Sequence, residues 1–359
     1  MARLRAGATR RVLVRHGADF DGRDCAGSDC QGGAAIAVLS KTIGWQGYTV
    51  QVPVEWDMTG YSGTSGEGYF RVDDGENLSL EVKWATEKAP ISLIPWAKPG
   101  AVKPPDVEIR REAYFKRLRD AAKKKKLVLT TKDADAPRSV TVRPERSVAG
   151  FTWTGDKRAI GAIWYCAVCH RVTIAQVTGD VSGKGGLVGK SDAVMGSMAC
   201  HDAVNGQRVW AIYDLDTTVP TDYELVTAQL MNVYLRLSFV KNHTARLSVE
   251  QWAVANVARK EAFLDDWVAA NAKGELRQAR YSVSEGRVRD LAAVTYTGGP
   301  AFGQPMIEVV QELTRFQKPA TRFSGVAWED ESANKMYLVQ ARRPRSEPDP
   351  VAAVAGATK

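Results

Sequence analysis

The feature that most constrains this chain is that it repeats itself. Residues 45–58 read WQGYTVQVPVEWDM, and residues 210–225 read WAIYDLDTTVPTDYEL. Both run Trp-x-x-Tyr, then Val-Pro, two residues, an aromatic, one residue and a large aliphatic. Five further pairs follow in the same order. GYFRV (68–72) parallels VYLRL (233–237), and LSLEVKWA (78–85) parallels ARLSVEQWA (245–253). EAYFKRLRDAA (112–122) parallels EAFLDDWVAAN (261–271), and VAGFTWTG (148–155) parallels LAAVTYTG (291–298). GAIWYCAVCHRVTIAQ (161–176) parallels GVAWEDESANKMYLVQ (325–340) without a gap. Any one pair is explicable as chance. Together, at a nearly constant offset, they describe two diverged copies of one unit. The copies occupy 43–178 and 208–342, with a Gly-rich connector at 179–207.

Each copy predicts the same order of elements. YTVQVP, YFRV and LSLEVKW alternate with period two, as strands do. REAYFKRLRDAAKKK places Ala113, Tyr114, Leu118 and Ala121 at helical spacing with charge opposite. Three more strands follow, the last two joined by a tight turn. The fold class is therefore α+β: two tandem copies of an antiparallel sheet packed with helices. The extra residue before Trp252 is a bulge if Trp84 and Trp252 both point inward. The second copy also carries an insertion at 299–322, whose PMIEVVQELTRF predicts a helix. Residues 1–42 and 343–359 have no counterpart in the repeat. Their Gly, Ala, Arg and Pro content predicts a poorly ordered basic arm and a disordered tail.

The Val-Pro-x-x-Trp opening, Val52 to Trp56, followed by an antiparallel sheet, resembles the Mog1/PsbP-like fold. That resemblance implies an α/β/α sandwich used for binding or assembly rather than catalysis. It carries no residue roles, because that family has no shared catalytic motif.

Composition narrows the function classes. No run of 18 apolar residues exists, so no membrane span is expected. No apolar segment follows the Arg-rich start, which argues against a secretory signal and for the cytoplasm. Five cysteines, an odd number, then point to reduced thiols or a metal rather than a disulfide framework. The net charge of +8 permits nucleic-acid contact through the basic arm (Arg3, Arg5, Arg10, Arg11) and the Lys-rich helix end at 123–126.

The chemistry-bearing candidate is Cys166-x-x-Cys169-His170, in the predicted terminal hairpin of the first copy. A C-x-x-C at a turn is half of a zinc site, because two thiolates at that spacing can face one ion. Cys200 and His201 offer the other half. The candidate ligands are Cys166, Cys169, Cys200 and His201, with His170 as the alternative nitrogen. Adjacent residues reach one ion with difficulty, so one of each neighbouring pair is expected to bind. The second copy has Asp330 and Ala333 where the first has its cysteines, so the hairpin does not need them to form. Two inert, half-buried thiols are the competing reading. The cofactor expectation is one structural zinc or none. C-x-x-C-H also matches a haem c attachment site, which an unexported chain disfavours.

Other motifs are weaker. GKGGLVGKS (183–191) misses the P-loop spacing by one residue and reads as a linker. Cys25, Cys30 and His16 sit in a Gly/Asp-rich arm, and His243 falls in a turn. No HExxH or GxSxG occurs, and neither acid pair, Asp73–Asp74 or Asp265–Asp266, has a base or nucleophile beside it. The balance leans against an enzyme. It favours a structural or protein-interaction module acting through a protein partner or self-assembly. The alternative is a zinc-containing, basic, nucleic-acid-associated protein.

Overall fold

The computed structural model describes residues 41–89, 101–182, 186–201, 205–260, 262–271, 279–300 and 321–359. The His16/Cys25/Cys30 group and the helix expected within 299–322 lie outside these residues. In chain order, the strands of the first half are β1 (Lys41–Trp45), β2 (Tyr48–Val52), β3 (Asp57–Gly63), β4 (Glu67–Asp73), β5 (Ser79–Thr86), β6 (Thr130–Asp133), β7 (Arg146–Thr154), β8 (Lys157–Cys166) and β9 (Arg171–Asp180). Those of the second half are β10 (Gln207–Ile212), β11 (Leu215–Pro220), β12 (Glu224–Met231), β13 (Tyr234–Lys241), β14 (Ala245–Ala253), β15 (Ala279–Val288), β16 (Leu291–Pro300), β17 (Arg322–Asp330) and β18 (Lys335–Arg343). The helices are α1 (Val107–Lys124), α2 (Arg138–Thr141), α3 (Leu187–Ser197), α4 (Ala255–Arg259), α5 (Leu264–Asn271) and α6 (Val351–Ala357). The protein is thus mostly antiparallel β-sheet with a few helices.

The strands form three sheets. Two have seven strands, ordered β3-β4-β5-β9-β8-β7-β6 and β12-β13-β14-β18-β17-β16-β15. The order is the same in both. The third has four strands, β11-β10-β1-β2, and takes one hairpin from each half. The predicted YTVQVP strand therefore leaves its own half. It belongs to β2, which buries Tyr48, Val50 and Val52 in the four-stranded sheet. At the junction, Gly44 of β1 stands opposite Ala211 of β10. A Cβ on Gly44 would lie 2.9 Å from the Ala211 backbone, so this close approach requires glycine. Trp45 and Trp210, matched in the sequence, meet edge to face there with centroids 5.4 Å apart.

The two seven-stranded sheets repeat a row of contacts. In one, Gln176 Nε2 donates to Glu81, and the Tyr114 and Trp153 side chains donate to Gln176 Oε1. In the other, Gln340 Nε2 donates to Glu250 and Tyr296 OH donates to Gln340 Oε1. Gly161 and Gly325 sit beside these glutamines under Phe151 and Tyr296. A Cβ on either glycine would fall 2.3 or 2.2 Å from the ring.

The register departs from the sequence pairing in a regular way. β8 and β9 match β17 and β18 residue for residue, but Phe151 rather than Trp153 occupies the place of Tyr296. The offset is two residues. A slip of two keeps every side chain on its face, whereas a slip of one would turn the strand over.

The expected bulge before Trp252 is absent. β14 pairs without interruption from Ala245 to Trp252. The extra residue therefore turns Trp252 to the opposite face from Trp84. Trp84 packs in the central core with Leu80 and Val82, while Trp252 meets Trp267 of α5 edge to face at 4.7 Å.

One continuous apolar core joins the inner faces of both seven-stranded sheets to the four-stranded sheet, α3 and α6. On the outer face of the first sheet, α1 buries Val107, Tyr114 and Phe115 against Phe151 and Ile163. Asp106 caps α1 by accepting from the Glu108 and Ile109 amides, and Lys123 and Lys124 complement its C-terminal dipole. The lysine run thus has a helix-terminal role. The tail expected to be disordered instead forms α6, which buries Val351, Val354 and Ala355 at i, i+3 and i+4. Its end is tied down where Asp216 and Lys359 exchange backbone hydrogen bonds of 2.8 Å. The connector also carries structure. Glycine at position 186 (φ +72°) starts α3, whose Val194 and Met195 are buried. No helix among the described residues is long and apolar enough to cross a membrane.

Candidate metal centre

Four side chains from distant parts of the sequence converge at the end of the β8–β9 hairpin. Cys166 is the last residue of β8, and Cys169 lies in the turn that follows. Cys200 and His201 arrive after α3, on a segment held to β2 by a two-way backbone bridge between Thr49 and Ala199. Each residue offers one ligand atom, and the four atoms lie within 4.8 Å of one another.

The separations can be compared with a tetrahedron. Zinc with sulfur at about 2.3 Å and nitrogen at about 2.0–2.1 Å requires S···S edges of about 3.8 Å and S···N edges of about 3.6 Å. Cys169 Sγ and Cys200 Sγ are 3.9 Å apart. His201 Nδ1 lies 3.7 Å from both Cys166 Sγ and Cys200 Sγ. Three of the six edges thus match a zinc tetrahedron, and the remaining three are no longer than 4.8 Å.

One of each neighbouring pair is expected to bind, yet the structure brings both Cys200 and His201 into the group. The chain bends at His201 directly after the Ala199 bridge. The ring folds back, and Nδ1, the nitrogen nearer the backbone, comes beside the preceding sulfur. His170 is not brought into the group. It adopts φ +55°, and its Nδ1 is hydrogen-bonded to Tyr165 OH at 2.8 Å. Its counterpart in the β17–β18 turn is Asn334, with φ +52°. His170 occupies the left-handed turn position that asparagine fills in the other sheet.

The same comparison explains Cys166. Its counterpart, Asp330, accepts hydrogen bonds from Ser332 and Ala333, which hold its carboxyl below the usual range. The Cys166 sulfur accepts from the Cys169 and Cys200 thiols, then from the Cys169 and Val168 amides. These donors push its pKa far down. The turn therefore presents its amides to the side chain at its first position in both sheets, a carboxylate in one and a sulfur in the other. Cys169 is pushed up as the donor to Cys166 and to Cys200, and Cys200 is pushed up foremost as a donor to Cys166, while the bond it accepts from Cys169 acts the other way. Three thiolates this close cannot all ionise without a cation between them.

Two buried arginines test whether a metal fits. Arg146 is 8% exposed. Its Nη2 donates to the Met198 carbonyl at 2.7 Å and to Cys200 Sγ at 3.8 Å, while its Nε and Nη1 have no partner. Arg171 is 7% exposed and donates to the Cys200 carbonyl at 3.2 Å. Each cation stacks on a ring, Arg146 on Trp164 and Arg171 on Tyr48. Neither has an ion-paired carboxylate among the described residues. Two buried guanidinium groups need negative charge nearby. Zinc with three thiolates and a neutral imidazole carries one net negative charge and supplies it. Both the donor set and the orphaned arginine nitrogens therefore fit zinc. Sequence reading missed these arginines, because burial beside a site is not a spacing.

The remaining candidates do not assemble a site. The strand before GKGGLVGKS, β9, runs antiparallel to both neighbours, and a P-loop follows a parallel strand. His243 is exposed in the β13–β14 turn with φ +60°.

No protein-family model matches the sequence, and no curated protein matches it. Among solved structures the chain is similar to the apo immunity protein TplEi of T6SS from Pseudomonas aeruginosa. That match has 9% identity and a TM-score of 0.30, and covers 89% of this chain and 96% of the other. It is also similar to the same protein complexed with "L" peptide, at 10% identity and TM-score 0.29, covering 90% and 98%. TM-scores of this size are too low to establish a shared fold.

Proposed function

We propose that this chain is a non-enzymatic structural and protein-binding module, built from a duplicated unit and pinned by one structural zinc. The observation that carries the reading is the closed ligand set. Cys166, Cys169, Cys200 and His201 would fill all four corners around one ion, and structural zinc sites are closed where catalytic ones keep an open position. The ion would supply charge neutralisation and a cross-link. It would join the β8–β9 hairpin of one seven-stranded sheet to the segment bridged to β2 of the four-stranded sheet. The duplication is supported by the common strand order and by the Gln–Gly–aromatic row present in both halves. A partner is a second protein or a second copy of this chain. The three thiols call for a reducing compartment, which supports the cytoplasm.

The test is metal content of the full chain purified under reducing conditions. One zinc per chain is expected, with a melting temperature that falls when a strong chelator removes it. Substoichiometric zinc that cannot be restored by titration, with melting unchanged by chelator, would overturn the reading.

A further inference from the structure

The edges of the three sheets differ in how they are closed. A sheet edge offers unpaired backbone donors and acceptors, and folds blunt it with short strands, bulges, proline or covering segments. In the four-stranded sheet, β2 is bridged by Ala199 and β11 is bonded by Lys359. β3 and β12 each carry a break in register, between Met58 and Gly60 and between Leu225 and Thr227. β6 has four residues, and its Asp133 is ion-paired with Arg111. Among the described residues β15 has none of these devices. It runs for ten residues without proline and pairs with β16 without a break in register. Tyr281 to Glu285 are all exposed, Tyr281 at 42% and Val283 at 45%. Successive side chains point to opposite faces, so neither face of this stretch is covered.

The hairpin decides which backbone groups point outward. Val288 and Leu291 close the two-residue turn between β15 and β16, with Arg289 at φ +52°. The closing residues exchange hydrogen bonds, and bonded pairs alternate from there. Ser282, Ser284, Gly286 and Val288 therefore bond to β16. Tyr281, Val283, Glu285 and Arg287 direct their N–H and C=O groups to the edge.

We propose that β15 is the surface through which two copies of this chain associate, pairing antiparallel about a two-fold axis at Ser284. Centred there, Tyr281 stands opposite Arg287 and Val283 opposite Glu285, so each outward backbone group meets a partner. A ring faces a cation, no like charges oppose, and the small Ser282, Ser284 and Gly286 share the other face. A foreign strand would have to supply this pattern, whereas a second β15 supplies it by symmetry and the interface closes at two chains. A ladder of this length buries less than a standard interface of about 1,600 Å², so the association is weak and reversible. The proposal rests on reading the chain as an interaction module and uses none of the zinc ligands.

The test is sedimentation equilibrium of the full reduced chain across concentration, with amide hydrogen exchange and zinc content measured on the same samples. A monomer–dimer equilibrium is expected. From dilute to concentrated samples, exchange at Tyr281, Val283, Glu285 and Arg287 should slow about tenfold or more, while Ser282, Ser284 and Gly286 stay unchanged. Val283→Pro removes an outward amide and spares the bonds to β16, so it should fold and weaken association about tenfold or more. Ser284→Lys sets like charges across the axis and should weaken association without a backbone change. A chain that stays monomeric up to about 1 mM overturns the proposal. So does a dimer that neither variant weakens, or exchange at the four outward amides that ignores concentration. A monomer holding one zinc contradicts only the dimer, and a dimer without zinc contradicts only the metal centre.

Discussion

His170 and His201 illustrate how little a histidine's sequence neighbours say about its role. His170 directly follows Cys169 yet turns toward Tyr165. His201 lies thirty-two residues beyond Cys169, yet one of its ring nitrogens lies within 4.8 Å of all three sulfurs. The difference is backbone. A left-handed residue inside a tight turn projects away from the site, whereas a bend after a bridged residue folds back onto it. His170→Asn, which installs the residue found at Asn334, should leave zinc stoichiometry unchanged and cost less than about 1 kcal/mol. His201→Asn removes a ligand and should weaken zinc affinity by two orders of magnitude or more. Competition with a chromophoric chelator measures both, and equal affinities for the two variants would contradict the assignment. The three cysteines and His201 were legible in the sequence as a spaced set. Their use of adjacent residues was not, because it depends on the single bend at His201. Arg146 and Arg171 were illegible for a different reason: nothing in RSV or HRV signals burial against a distant sulfur.

At the scale of elements, the β8–β9 hairpin and its counterpart β17–β18 are two solutions to one turn. Both feed backbone amides to the side chain at the first turn position, and both place a left-handed residue before the returning strand. Replacing Cys166→Asp and Cys169→Ala together should convert the first turn into the second. The expected protein folds, binds no zinc, and melts at a temperature insensitive to chelator. A variant that still binds zinc stoichiometrically, or whose hairpin amides lose their exchange protection, would contradict this equivalence. The order of strands within the sheets was not legible, whereas β2, β4 and β5 were legible as strands because YTVQVP, YFRV and LSLEVKW alternate with period two. β3 was not, because DMTGYSG is largely exposed and Gly-rich. The bulge was misread because an inserted residue has two outcomes. It can loop out and preserve the face, or remain in register and change it. Trp267 of α5 gives Trp252 a partner on the outer face, so the second outcome prevails.

The whole molecule is organised around the sheet that its two halves share. A repeat in sequence predicts two units side by side, and it does not predict that each lends a hairpin to a common sheet. Pairing β1 with β10 buries Trp45 and Trp210 against each other and fuses what would be two cores into one. The tail was illegible for a related reason. PVAAVAGAT is too short and too Ala-rich to announce a helix, and only the surface offered by β11, β17 and β18 gives Val351 and Val354 somewhere to go. The four candidate ligands join the β8–β9 hairpin to the segment bridged to β2, so a zinc ion there would tie two of the three sheets together. X-ray absorption at the zinc edge on the full, reduced chain tests this most directly. The expected first shell is three sulfurs at about 2.3 Å and one nitrogen at about 2.0–2.1 Å. A shell of nitrogen and oxygen alone would contradict a zinc centre built from Cys166, Cys169, Cys200 and His201.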